Sequence, residues 1–221
     1  LAEAPVSDRI ENEKLKVAIQ WSSEIPEDEY KDGVRIIINH FQEIKQVVWH
    51  GKGDYFSTVM PNGLSRSGII HQLSKRNSQT AFSKTHGMVQ CVLFHPIKPW
   101  LFVAVRNYNY LILLGTNYVY FQTQQHVRIY DLVRQELHKK LTPSCKWISK
   151  IAIHPKGDNL LVSTYDKKVM WFDIDLSTKP YQTLNLHTSA VRSVAFHTRY
   201  PLFASGSDDR SVIACHGMVY K

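Results

Sequence analysis

Four of the chain's eleven histidines, His50, His95, His154 and His197, recur at intervals of 45, 59 and 43 residues. An imidazole can ligate a metal or act as a general base, but metal-binding histidines that share an element sit three to five residues apart. These four return once per repeat at the same point of a local pattern, which marks a structural role. For a histidine-dependent hydrolase, the cheapest test is whether these histidines lie on separate blades, in which case they share no site. The stretch "GLSRSG" at 63–68 puts Ser67 where a nucleophile elbow requires glycine. The chain has no P-loop, no G-x-G-x-x-G and no carboxylate pair in a plausible cleft. No catalytic residue, metal ligand, cofactor or small-molecule substrate is expected, and hence no enzyme.

The elements around the histidines explain the spacing. "VVWHGKGDYFSTVM", "CVLFHPIKPWLFVA", "KIAIHPKGDNLLVS" and "SVAFHTRYPLFASG" each read as an apolar strand, a histidine, a turn of Gly, Pro, Lys or Asp, and a second apolar strand. Third strands follow in "GIIHQL", "VRIYDL", "VMWFDIDL" and "SVIACHG". Several short strands in a period of about 40–45 residues are the mark of a β-propeller of the WD40 kind. The expected fold is therefore all-β, with blades near 33–80, 81–142, 143–185 and 186–221. Asp131 and Asp173 stand in the aspartate place of the Trp-Asp pair, and His187, Ser205 and Asp209 complete the motif in the fourth unit. Asp166 keeps the turn aspartate in the third unit, Gln124 replaces it in the second, and Cys215 occupies the tryptophan place of the fourth. A buried histidine, a strand serine and a turn aspartate can hydrogen-bond in series and tie the strands of one blade together.

Charge is unevenly spread. Residues 1–33 hold nine acids against four bases, while the remainder carries a net charge of +13. Residues 1–32 are expected to be an acidic connector without regular structure. The basic body favours polyanionic partners, nucleic acid above all. Candidate contacts lie in two stretches, Lys75, Arg76 and Lys84 in one and Arg134, Lys139, Lys140 and Lys146 in the other. The alternative is a solvated basic rim on a generic WD40 adaptor that binds protein through its loops. Three widely spaced cysteines suggest no disulfide framework and point to a reducing compartment. No run reaches the roughly 18 apolar residues of a membrane span, so a membrane partner is not expected.

The run from "CKWISKIAIHPKGDNLLVSTYD" to "CHGMVY", with "WHGKGDYFSTV" and "IHQLSKRNSQTAF" before it, resembles the C-terminal propeller of the block-of-proliferation family of eukaryotic ribosome biogenesis WD-repeat proteins. "WFDIDLSTKPY" and "YPLFASGSDD" are the most specific parts of the match, which runs from about residue 33 to the end. The resemblance implies a non-catalytic scaffold in large ribosomal subunit biogenesis, with pescadillo, WD repeat protein twelve and pre-rRNA of the large-subunit preribosome as partners. It implies a nuclear location, in nucleolus and nucleoplasm, and a fragment holding about four of seven blades.

One segment interrupts the match. Removing the 18 residues 105–122 shortens the His95 to His154 interval from 59 to 41, in line with its neighbours. The insert falls at the turn between the second and third strands of one blade, and contains no acid and no lysine. A native loop would be tolerated on entropic grounds, but "YLILL" and "YVYF" would make an exposed, β-prone surface that loops normally avoid. Val105-Arg106 can be encoded as a splice donor and Tyr120-Phe121-Gln122 as a pyrimidine-rich splice acceptor. The segment is accordingly expected to be a translated in-frame intron, neither a strand pair of the fold nor a membrane segment.

Overall fold

The computed structural model describes residues 19–22, 24–62, 67–80, 87–111 and 120–217, with the side chains of 108–111 and 120–123 left out. Residues 1–85 and 86–221 form two compact units. The first contains β1 (Gln20–Ser22), helix α1 (Glu27–Lys31), β2 (Ile37–Asn39), β3 (Gln46–Trp49), β4 (Tyr55–Val59), β5 (Gly68–Gln72) and β6 (Asn77–Thr80). β3 to β6 make one antiparallel blade in sequential order, and β1 pairs with β2.

The second unit holds three blades. The first of them is β7 (Met88–Phe94), β8 (Trp100–Leu111), β9 (Tyr120–Asp131) and β10 (Glu136–Leu141). Next come β11 (Ile148–Ile153), β12 (Asn159–Thr164), β13 (Val169–Asp173) and β14 (Gln182–Leu184), then β15 (Val191–Phe196), β16 (Leu202–Ser207) and β17 (Val212–His216). Each strand pairs with the next in an antiparallel meander, the unit from which WD40 propellers are built. The chain is thus an all-β assembly of WD40-type blades, with an insert in the second.

Packing between blades explains why second strands read as unbroken apolar runs. In β12, Leu160, Leu161 and Val162 are all fully buried. Alternate side chains of a strand point to opposite faces. Leu160 and Val162 accordingly pack with Phe102, Val127 and Ile129 of the preceding blade, whereas Leu161 packs with Val191, Val194 and Phe203 of the following one. A blade between two others buries both faces, so no polar face is selected. The last described blade contrasts with this: Phe203 is buried on one side, while Val212, on the other, is 78% exposed. One irregularity recurs in all three blades, because the pairing of first and second strands shifts register between Val89 and Cys91, Ile148 and Lys150, and Val191 and Ser193. Such a bulge strengthens local twist.

Two expectations are corrected. Residues 105–122 were expected to stand outside any strand pair, yet β8 and β9 run into them, pairing Val105 with His126 and continuing to Leu111 with Tyr120. Val105 is fully buried. The β-branched and aromatic composition that raised the aggregation concern also suits a hairpin ladder. The hairpin overshoots the blade, because β12 and β13 end their ladder at Ser163 and Val169, the equivalents of Ala104 and Val127. Residues 112–119 lie outside the described set. The second correction concerns the acidic connector, whose described part forms β1 and α1. Ile19 is buried with Met60 and Ile69, and Trp21 packs against them. Apolar side chains at 19 and 21 anchor a segment that is otherwise charged.

Candidate nucleic-acid interface

Each blade has two ends. At one, a loop enters the first strand and a turn joins the second to the third; at the other lie the turns from first to second and from third to fourth. The repeat histidines all sit at the second of these ends and cap their own turns. The Nδ1 of His50 accepts the Lys52 N–H, that of His95 accepts Ile97 and Lys98, that of His154 accepts Lys156, and that of His197 accepts Arg199 and Tyr200. Each ring therefore caps a turn of its own blade. His95 does more, since its Nε2 donates to the Gly157 carbonyl of the next blade at 3.1 Å. Gly157 has φ +80°, and a Cβ there would fall 2.2 Å from His95 Cε1.

Asp131 and Asp173 cap the turn from third to fourth strand. Oδ1 of Asp131 accepts the N–H groups of Val133 and Arg134, and Oδ1 of Asp173 those of Asp175 and Leu176. These bonds, led by that from Arg134, hold the Asp131 carboxyl below its ordinary range. Blade one has Gln72 in this place, and Asp54 compensates by accepting Ser74 N–H, Ser74 Oγ–H and the Gln72 amide.

At the first end, the structure joins His187, Ser205 and Asp209. His187 Nδ1 donates to Asp209 Oδ2 at 2.9 Å and its Nε2 accepts from Ser205 Oγ at 2.8 Å. Hydrogen bonds led by Ser211 depress the Asp209 carboxyl. Blade one contains a counterpart that spacing did not reveal. Trp21 Nε1 donates to Ser78 Oγ, Ser78 pairs with His71 Nδ1, His71 Nε2 with Thr58 Oγ1, Thr58 with His40 Nε2, and His40 Nδ1 donates to the Ile38 carbonyl. Every donor in this chain meets an acceptor. His71 stands where the motif has tryptophan, and the indole comes from β1 instead. Burial, with the neighbouring His40 second, pushes His71 down to about 3. The signal available in sequence was "GIIHQL", whose histidine replaces the aromatic of "VRIYDL".

The candidate basic residues fall on different elements. Lys75 and Arg76 lie in the turn from β5 to β6, Arg134 in the turn from β9 to β10, and Lys139 and Lys140 on β10 itself. Lys139 is already committed, its Nζ donating to the Ile174 carbonyl of the next blade. Lys146 is at the opposite end from Arg134, in the loop entering β11. Lys84 falls outside the described residues.

Lys146 has company that sequence did not predict. Beside it, the Arg106 guanidinium lies 3.9 Å over the Trp147 ring, Trp147 meets Tyr165 edge-on at 5.6 Å, and Arg192 lies 4.6 Å over Tyr165. Arg192 also binds Asp208 through Nε and Nη2, and that hydrogen-bonded pair lowers the Asp208 carboxyl. Trp147 and Tyr165, both partly exposed, thus lie between Arg106, which belongs to the segment 105–122, and Arg192, which is already ion-paired with Asp208. The two rings can stack on bases, one of the contacts that single-stranded nucleic acid uses. Among the described residues no cluster of three or more His, Cys, Asp or Glu could hold a metal ion.

Comparison with known proteins bears on what these rings serve. The family model described as "WD domain, G-beta repeat" matches residues 178–213. Over 220 residues, the whole of this chain, the sequence is 65% identical to the ribosome biogenesis protein BOP1 homolog of Aedes aegypti and 64% identical to that of Culex quinquefasciatus, covering 23% of each. It is 64% identical to the homolog of Drosophila persimilis, covering 26% of it. The chain therefore spans about a quarter of the length of the curated relatives it matches. The repeated blade, the WD-repeat match at 178–213 and an identity of 64–65% along the whole chain make it similar to the corresponding quarter of these BOP1 homologs.

Proposed function

We propose that the chain is a non-catalytic scaffold in large ribosomal subunit biogenesis, holding pre-rRNA and protein partners in the preribosome. Pescadillo and WD repeat protein twelve are the proposed protein partners, and the nucleolus and nucleoplasm the proposed sites of action. The observation that carries this reading is identity above 60% along the entire chain to proteins named for ribosome biogenesis. A net charge of +13 beyond residue 33 supports an RNA component. So do the exposed aromatics Trp147 and Tyr165.

The experiment replaces the corresponding region of a full-length BOP1 homolog by this chain in cells depleted of the endogenous protein. Restored large-subunit rRNA maturation, with the protein co-sedimenting with large-subunit precursors and pescadillo, is the expected result. Normal maturation when the region is deleted outright would refute the proposal. Charge reversal of Lys140 and Lys146 should weaken RNA binding and flatten its salt dependence, whereas Lys139, bonded to the Ile174 carbonyl, should affect the fold first.

A further inference from the structure

The blades of the second unit meet one another differently at the end that carries the repeat histidines. Between the first two, the seam is closed by two residues. His95 Nε2 donates across it to the Gly157 carbonyl, and Ile174, 2% exposed, packs in one cluster with Phe102 and Ile129 of the blade before. The last blade has other residues in both places. Counted from the repeat histidine, Tyr200 stands where Gly157 does. Gly217 follows β17 as Ile174 follows β13, its N–H donating to the Pro201 carbonyl as that of Ile174 does to Asp158. A side chain at Gly157 would fall within 2.2 Å of His95, so a turn with tyrosine in that place cannot come as near. His154 accordingly turns to Asp158 of its own turn at 3.0 Å, and Gly217 has no side chain to close the gap.

The seam between the last two blades therefore stays open as a hollow of about 210 Å³, lined among others by His154, Lys156, Trp171, Phe196, Leu202 and Gly217. A cavity of about 150 Å³ is enough for a benzene ring, and sites for drug-sized molecules begin at about 300 Å³. The hollow thus has room for one large side chain. The polar groups in its wall are already paired with one another. Trp171 Nε1 donates to Asn159 Oδ1 at 2.6 Å, and the Asp158 carboxylate is hydrogen-bonded by the Asn159 side chain and by His154. Carbon makes most of the remaining surface, with Phe196 edge-on to Trp171 at 5.6 Å and to His154 at 5.2 Å, and Leu202 38% exposed beside them.

Charge around the mouth narrows the occupant. Lys156 lines it, Arg199 belongs to the same turn as Pro201 and Leu202, and Lys179 lies two residues before Tyr181, whose N–H donates to the Trp171 carbonyl. None of these three cations has an ion pair among the described residues. The nearby acids are engaged, Asp158 by His154, Asp173 by the N–H groups of its turn and Asp175 by Lys98 at 3.9 Å. Leu176, Tyr181 and Tyr200 on these turns are 72%, 66% and 63% exposed, an apolar surround of the kind that marks interaction sites. An RNA strand would also be drawn by the cations, but its base would bury a polar edge against carbon. We propose that the hollow takes one large aliphatic or aromatic side chain from an acidic segment of a partner protein, whose flanking carboxylates lie on Lys156, Lys179 and Arg199. The proposal rests on the scaffold role above and gives one protein partner a surface and a chemistry.

The test is fluorescence-anisotropy titration of the full chain with labelled nine-residue peptides. Each has a central leucine, phenylalanine or alanine flanked on both sides by one glycine and three glutamates, and a second set carries lysine for glutamate. An eight-nucleotide single-stranded RNA is titrated alongside. The leucine and phenylalanine peptides should bind about tenfold more tightly than the alanine peptide, and the lysine set should not bind. Leu202→Lys, at a position already open to solvent, should keep the attraction for glutamate but erase the preference for leucine over alanine. Lys156→Glu should weaken every acidic peptide about equally and leave that preference in place. Equal binding of leucine and alanine peptides, or a preference that survives Leu202→Lys, would overturn the proposal. RNA binding weakened by Lys156→Glu, with no acidic peptide bound, would assign this surface to nucleic acid and refute the protein partner. Binding of neither probe would also overturn the proposal, while the scaffold role, read from rRNA maturation, would stand.

Discussion

Gly157→Ala should cost the chain about 3 kcal/mol of stability, through one contact between neighbouring blades. Two effects add. Alanine at φ +80° is strained by about 1 kcal/mol. The new Cβ would also lie 2.2 Å from His95 Cε1 and 2.4 Å from Nε2, so the imidazole must leave its place. It then loses its 3.1 Å bond to the Gly157 carbonyl and its edge contact with Trp100 at 5.4 Å, together worth about 2 kcal/mol. The assay is urea unfolding of four proteins: the chain itself, Gly157→Ala, His95→Ala and the double variant. With the imidazole gone, Gly157→Ala should cost only the backbone share, about 1 kcal/mol, leaving a coupling near 2 kcal/mol. Equal costs in the two backgrounds would refute the clash. A cost under 0.5 kcal/mol in the parent chain, on the order of an ordinary surface change, would refute the whole argument.

Three further outcomes are expected. His71 and His40 both have folded-state pKa values below 6.5, His71 at about 3, so the unfolded chain binds more protons between those limits. Stability should be complete above pH 6.5 and fall as pH drops toward 3, by about 1.4 kcal/mol per pH unit from His71 alone; an unchanged pH slope in His71→Phe would remove it as the cause. Asp173→Ala should cost about 1 kcal/mol and Asp173→Asn much less, because an amide oxygen still accepts the Asp175 and Leu176 N–H groups; equal thermal shifts would argue against the turn cap. Residues 105–122, proposed as a translated intron, should be bounded in genomic DNA by GT at codon 105 and AG at the end of codon 122, with spliced reads joining Ala104 to Thr123. A genome lacking either dinucleotide ends that proposal.

The strand pairs were legible because each, with its turn, leaves a local record: apolar runs, a histidine and a Gly or Pro turn, repeated once per blade. The same holds for His187, Ser205 and Asp209, whose spacing within one unit carries the motif. The break in period at 105–122 was legible too, but the conformation of that segment was not, since residues that mark a hazardous loop also make good strands. Sequence reasoning missed the chain from Trp21 to His40 because its members span 57 residues and two sheets. It grouped Lys139, Lys140 and Lys146 by proximity along the chain, whereas Lys139 turns to a carbonyl 35 residues away and Lys146 enters a loop at the blade's end.

By itself, then, the sequence determined the fold class and the repeat, both of which rest on short-range patterns that each blade states anew. Only the tertiary structure decided which polar groups find partners. His95 meets Gly157 because neighbouring blades bring together residues that no local pattern relates. A hydrogen bond depends on ångström-scale approach, and sequence distance carries no information about that once the chain has turned back on itself.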